Sequence, residues 1–306
     1  MPIRISHTLL FLLLTAALPL SACASSAPGD DRNDGGTIRF VITPFLDDPS
    51  VQTPLPELKK QLEEATGHPV QITDVPSYSA AVEAIRAGHE DIALVSGFAA
   101  ALAISTQQVE PLIAWPGDAT SASQCIVLED SPLQSLADIT PETVVAFADP
   151  ASESGYFLSL HLLKEAGLKE GEDFSSVFAG SHDRGLLALK HQDADVACTS
   201  AVFTAMVGQG SPLFPFEEGA TRILGESIPK PIAASIITNA GLSEEKRRAL
   251  LNGLPEVFHH DNVDELGVYV DGLPAGVEPV LDPGDEPFQP YLEIAALADV
   301  DLTEVN

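Results

Sequence analysis

The chain has 306 residues, 45% of them hydrophobic and 20% charged, enough apolar material for one large domain or two ordinary ones and too much for global disorder. Its 45 acidic residues against 15 basic ones leave a formal net charge of −30. That field repels nucleic acid and anionic lipid headgroups, so neither is expected as a non-covalent partner. The acids are scattered rather than clustered, which reads as a solvated surface of the kind that suits a salty habitat and not as a metal or cation site.

The N-terminus reads as an export signal. Arg4 gives a short positive region, and Leu9 to Leu20 is apolar apart from Thr15 and Pro19. This run is too short for a comfortable membrane span and polar residues follow it. A signal peptide is expected over residues 1–22. Leu20-Ser21-Ala22-Cys23 resembles a bacterial lipobox, whose cysteine thiol receives a diacylglyceryl group and becomes the new N-terminus after cleavage. The alternative is a plain signal peptide with a chance cysteine. The Ser/Gly/Asp/Asn-rich stretch after Cys23 reads as a flexible tether, so that residues 23–36 form a lipidated linker. No later segment resembles a membrane-spanning helix, leaving the lipid as the expected anchor. The remaining cysteines, Cys125 and Cys198, lie in apolar runs; a disulfide and a pair of buried free thiols both fit.

Beyond the tether, strand-like and helix-like segments alternate, the pattern of an α/β protein with mainly parallel sheets. Ile38 to Thr43 is a predicted strand, and Leu55 to Ala65 a helix opened by prolines and closed by Gly67. Val70 to Asp74 is a strand, Ser79 to Ala87 a helix, Asp91 to Val95 a strand, Phe98 to Ser105 a helix and Val109 to Trp115 a strand. The alternation then starts again. Strands are predicted over Cys125 to Leu128, Thr143 to Ala148, Ser176 to Ala179, Asp195 to Thr199, Arg222 to Gly225 and Ile232 to Thr238. Helices are predicted over Gly155 to Ala166, His182 to His191, Val202 to Val207 and Ser243 to Leu251. The acidic, Pro/Gly-punctuated remainder holds one more predicted helix, near Tyr291 to Ala298.

Two such rounds suggest two lobes, each a small doubly wound sheet. Pro116 to Ser123 and Ser227 to Pro231 are natural crossings between them. Lobe 1 would then comprise residues 37–117 and 228–306, and lobe 2 residues 118–227. A double crossing suits hinge closure around a ligand.

In open α/β sheets ligands bind beyond the carboxyl ends of strands. Hydroxyls and glycines accumulate there, at Thr43, Ser77-Tyr78-Ser79, Ser96-Gly97, Asp149 to Tyr156, Gly180-Ser181-His182-Asp183 and Thr199-Ser200. Helix N-termini expose unpaired N–H groups and carry partial positive charge. Several of them facing one cleft can hold an oxyanion with few basic side chains. Ser and Thr at such turns are also ordinary helix caps.

Residues from about Ile38 to Leu254 resemble the substrate-binding proteins of phosphate/phosphonate-type ABC importers. The resemblance rests on Ile38 to Pro44, the Tyr78 to Gly88 helix with Asp91, Asp130 to Asp138, the D-P-x-S-x-S-G-Y run Asp149 to Tyr156, the G-S-H-D run Gly180 to Asp183, and Glu226 to Pro231. It implies a two-lobed periplasmic-binding-protein type II fold and a ligand-carrying monomer that serves an ABC permease. It also implies that Ser152, Ser154, Gly155, Ser181 and His182 hold a phosphonate-, phosphate- or phosphite-like group, with Tyr78 as a pocket wall. Glu153, Ser96, Thr43 and Thr199 complete the candidate ligand-binding set. A protonated His182 at the start of a helix would serve an anion.

This chain departs from the family in three places. Glu153 stands where the family usually has threonine, and an ionised carboxylate there repels an oxyanion unless it points away or the ligand differs. A ligand-touching tyrosine is missing around Ala119 to Ser123, and an amine-holding acid is missing at Thr199-Ser200.

No catalytic residue, metal or cofactor is expected, because no nucleophile elbow, P-loop, dinucleotide fingerprint or zinc spacing occurs. Two rivals stay open. One is a hydrolase pairing Ser152 or Ser154 with His182. The other is a receptor that reports its ligand to a membrane partner.

Overall fold

The computed structural model describes residues 36–42 and 54–298. The predicted signal peptide, Cys23, most of the tether and Thr43 lie outside the described residues.

The first round consists of β1 (Ile38–Ile42), α1 (Leu55–Thr66), β2 (Val70–Asp74), α2 (Tyr78–Arg86), β3 (Ile92–Val95), α3 (Gly97–Ser105) and β4 (Val109–Pro116). The second comprises β5 (Ser123–Leu128), β6 (Val144–Phe147), a wide π-type turn over Glu153–Phe157 leading into α4 (Leu158–Glu165), β7 (Ser175–Phe178), α5 (His182–Lys190), β8 (Val196–Ser200), α6 (Ala201–Thr204) and β9 (Thr221–Glu226). The chain then adds β10 (Ile232–Asn239), α7 (Glu244–Val257), α8 (Val263–Leu266), β11 (Val280–Leu281) and α9 (Gln289–Ala298).

One sheet has the order β11-β4-β10-β3-β1-β2 and the other β7-β6-β8-β5-β9. In the first, β1 to β4 share a direction and β10 and β11 oppose it. In the second, β6 to β9 share a direction and β5 opposes it. The strands are thus mostly parallel in direction. The inserted strands β10 and β5 are each the first laid down after the chain changes sheet, and each enters between two strands of the common direction.

Strand alternation sends side chains to both faces. In the first sheet Phe40 packs with Leu58, Leu62, Trp115, Leu250 and Leu254 on one face, while Val41 packs with Ile85, Phe98 and Ile237 on the other. In the second, Val145 and Phe147 join Cys125 and Cys198 on one face, and Ala146 joins Leu186 and Leu189 on the other. Helices therefore cover both faces of each sheet, as parallel strands require. The second-sheet face of Phe147 also carries a covalent link. Cys125 and Cys198 are directly paired across β5 and β8 and form a disulfide, with their Cα atoms 4.0 Å apart, so the free-thiol alternative falls.

Helix α7 runs past the expected end at Leu251 to Val257. Leu250, Leu254 and Val257 are buried there, and Gly253 lets α1 approach, since a Cβ would stand 2.7 Å from the Ala65 carbonyl oxygen. Tertiary packing outweighs the helix-weakening Gly and Pro255.

The two crossings lie side by side. Gly117 donates its N–H to Pro231 O at 2.9 Å, Ser121 bridges Pro229, and Ser227 donates to Ser123 O at 2.9 Å. Any Cβ at Gly117 would overlap the Lys230 carbonyl, so glycine permits this ribbon.

Candidate functional site

A cavity of about 210 Å³ opens between the two sheets. Tyr78 and Ser96 line it from the first-sheet half, Ser152, Glu153, Ser154 and His182 from the second, and Lys230 from the return crossing. The remaining wall is largely apolar, with Val202, Phe203, Met206 and Leu213 on one side and Val95, Ala233, Val268 and Leu273 on the other. Ser200, Tyr269 and Asp271 complete its polar rim.

Of the residues singled out in the sequence, Tyr78, Ser96, Ser152, Glu153, Ser154 and His182 meet at the cavity. Gly155, Ser181 and Thr199 are buried behind that wall. Gly155 is required by close packing, because a Cβ would stand 2.5 Å from Ala148 Cβ and 2.9 Å from His182 Cε1. Ser181 Oγ donates to Asp183 Oδ1 at 2.6 Å. Thr199 Oγ1 lies 3.1 Å from His182 Nδ1.

Several cavity hydroxyls are helix caps as well. Ser96 Oγ accepts from Ala99 N at 3.2 Å, and Ser152 Oγ accepts from Gly155 N at 3.1 Å. A hydroxyl that accepts from its own turn keeps its proton to donate elsewhere, so capping and ligand contact are compatible.

His182 departs from the expected protonated imidazole. Burial holds its pKa down at about 4, with the Asp183 charge pulling the other way, so the ring is neutral at neutral pH. Nδ1 accepts the Ser200 N–H at 3.3 Å. That assigns the ring proton to Nε2, and the neutral ring becomes a hydrogen-bond donor rather than a charge. The ring stacks on Phe203, centroids 4.9 Å apart, and meets Tyr78 edge-on at 6.5 Å. Nδ1 is thus committed to the Ser200 N–H and lies beside Thr199, while Ser152 Oγ accepts from Gly155 N.

Glu153 lines the cavity and is buried, at 3% exposure. Tyr291 Oη donates to its Oε1 at 2.6 Å. Burial pushes this carboxyl up; the Lys230 charge, the Tyr291 hydroxyl and the backbone amides of Phe98 and Gly97 pull it back. Gly97 has no alternative here, since a Cβ would overlap Tyr291 Oη. Tyr291 Oη also accepts from Ile232 N at 3.1 Å.

Asp149, the first residue of the signature run, accepts from Ala151 N at 2.8 Å and from Ser79 Oγ at 3.1 Å. It therefore ties α2 of the first half to the Ser152–Ser154 turn of the second. Sequence reasoning missed Lys230, Tyr291, Phe203 and Met206 as site residues. Lys230 had a signal, a rare base between two prolines in the return crossing. Tyr291 had none, because it reaches Glu153 from 138 residues away in sequence.

The sequence model of the family described as "ABC transporter, phosphonate, periplasmic substrate-binding protein" matches residues 40–261. The chain belongs to this family. Solved structures agree with the fold of this periplasmic substrate-binding protein. A binding protein component of an ABC phosphonate transporter from Pseudomonas aeruginosa superimposes with a TM-score of 0.72 at 18% identity, covering 86% of this chain and 87% of that one. PhnD1 from Prochlorococcus marinus, in complex with methylphosphonate, gives 0.67 at 15% identity over 86% and 98%. The alkanesulfonate-binding protein SsuA from Xanthomonas axonopodis pv. citri, bound to MOPS, gives 0.63 at 13% over 88% and 96%. Among the described residues of the substrate-binding protein, no helix is long and apolar enough to cross a membrane.

Proposed function

We propose that this substrate-binding protein is an exported lipoprotein, anchored at the outer face of the cytoplasmic membrane through Cys23, that binds a small oxyanion and presents it as a monomer to an ABC permease. The ligand is phosphonate-, phosphate- or phosphite-like. The observation that carries the reading is the convergence of Ser152, Ser154, the neutral donor His182, Ser96 and Lys230 on one cavity between two sheets. Hydroxyls, an imidazole N–H and one ammonium suit an oxyanion's acceptor-only surface. The apolar remainder of the wall, from Phe203 to Leu273, suits an organic substituent on that head group. Residues 37–117 with 228–306 act as one lobe and residues 118–227 as the other, and a ligand touching both stabilises the closed arrangement. Binding is the whole task of the cleft, and the permease recognises the closed form.

A thermal-shift titration of the soluble body with phosphate, phosphite, methylphosphonate and longer alkyl oxyanions tests this. A melting temperature that climbs with ligand concentration supports binding by mass action. The absence of any shift across the series, or turnover of a phosphate or carboxylate ester, would sink it.

A further inference from the structure

We infer that Glu153 sets which head group the cleft accepts: its carboxylate fills, from within the chain, the anion position at the start of α3, so the cleft takes a singly charged oxyanion on an apolar body and turns away compact dianions. This rests on the oxyanion reading above and narrows it: within that class of ligands the cleft takes the forms that carry a single charge and an organic body.

The residue lies on the second-sheet turn, yet its partners come from elsewhere. Tyr291 Oη on α9 donates at 2.6 Å, the amides of Gly97 and Phe98 open α3, and Lys230 belongs to the crossing. Of these, the hydroxyl and the helix N-terminus are groups a ligand's oxyanion would otherwise draw on, while Lys230 acts on Glu153 through its charge and still lines the cavity. With Glu153 in place the start of α3 is occupied and half-neutralised. Lys230 is the one cationic side chain among the described lining residues, while Glu153 and Asp271 are both acidic. The Tyr291 hydroxyl and the Gly97 and Phe98 amides all donate to Glu153, which favours its ionised form against the cost of burial, so a second full negative charge on the ligand meets like charge in a confined, partly dehydrated space. A single charge can still be met by Lys230, by His182 Nε2–H and by the Ser152 and Ser154 hydroxyls. Its organic part lies against Phe203, Met206, Leu213 and Leu273. Specificity here comes from a repulsive element as much as from new contacts.

The test is calorimetric titration of the wild type, Glu153→Gln and Glu153→Thr with two probes at pH 8.5, methylphosphonate as the compact dianion and hexanesulfonate as the monoanion on an apolar chain. The wild type is expected to bind hexanesulfonate at least tenfold more tightly than methylphosphonate. Glu153→Gln should tighten methylphosphonate at least tenfold and change hexanesulfonate less than threefold. Glutamine keeps the size and the Tyr291 contact, so it decides the matter if the threonine variant does not fold. A wild type that prefers methylphosphonate, or a Glu153→Gln whose methylphosphonate affinity stays within threefold, overturns the inference and leaves the oxyanion reading intact. If no form binds either probe, the oxyanion reading itself fails and takes the inference with it.

Discussion

Phe98 and Phe157 stack with ring centroids 3.8 Å apart and planes inclined by 10°, one carried by α3 in the first-sheet half and the other by the turn before α4 in the second. Both are fully buried and share one core with Leu158 and Tyr291. A near face-to-face pair is not what ring quadrupoles favour, so burial holds it. Phe157→Ala is expected to lower stability by about 3–5 kcal/mol, read as a drop in urea midpoint. A loss below about 1 kcal/mol would contradict a fully packed site.

The neutral state of His182 has a consequence for pH. Its folded pKa of about 4 lies below the reference of 6.5. As pH falls the unfolded chain takes up this proton first, so stability declines between about 6.5 and 4, by roughly 3 kcal/mol from this group. Denaturation curves of wild type and His182→Gln across that window should converge as the pH drops. Affinity for hexanesulfonate should be flat between about pH 6 and 8; a rise on acidification through the ordinary histidine range would mean the ring binds as a cation.

Ser152 and Ser154 are expected to separate stability from binding. Ser152 caps the turn through Gly155 N, so Ser152→Ala should cost about 1 kcal/mol of stability along with affinity. Ser154 is half-buried and lines the cavity, so Ser154→Ala should weaken ligand binding severalfold with an unchanged melting temperature. Unchanged affinity in both variants would remove this turn from the site.

The Cys125–Cys198 link closes a loop of 73 residues in sequence separation. Converting both to alanine is expected to lower stability by about 2–5 kcal/mol. Thiol titration of the unfolded, unreduced body should find neither of these thiols free, and two free thiols would refute the pairing.

Cys23→Ser is expected to move the protein from the membrane fraction to the soluble one, because a serine hydroxyl does not receive the diacylglyceryl group. Retained anchoring would defeat the lipobox reading.

The alternation of apolar runs with glycine- and proline-marked turns determined most of the fold by itself, because period and turn chemistry are local properties. It placed α1 up to its Gly67 stop, α9 near Tyr291, and the serine-rich turns that open helices beside the cleft. Short-range chemistry also marked the turns that carry Ser152, Ser154 and His182, since helix starts after strands are legible without coordinates, while the resemblance to the family singled out those three residues within them. Only the tertiary structure decided what depends on distant neighbours. The extension of α7 required the face of α1 to pack against. The pairing of Cys125 with Cys198 required the register of β5 on β8. The charge of His182 required knowing that its ring is buried between Phe203 and Tyr78. The role of Glu153 required α9 and α3 to converge on one carboxylate. A residue's charge, and the partner that satisfies it, are set by the dielectric and the donors around it, and those arrive from parts of the chain that no local pattern connects.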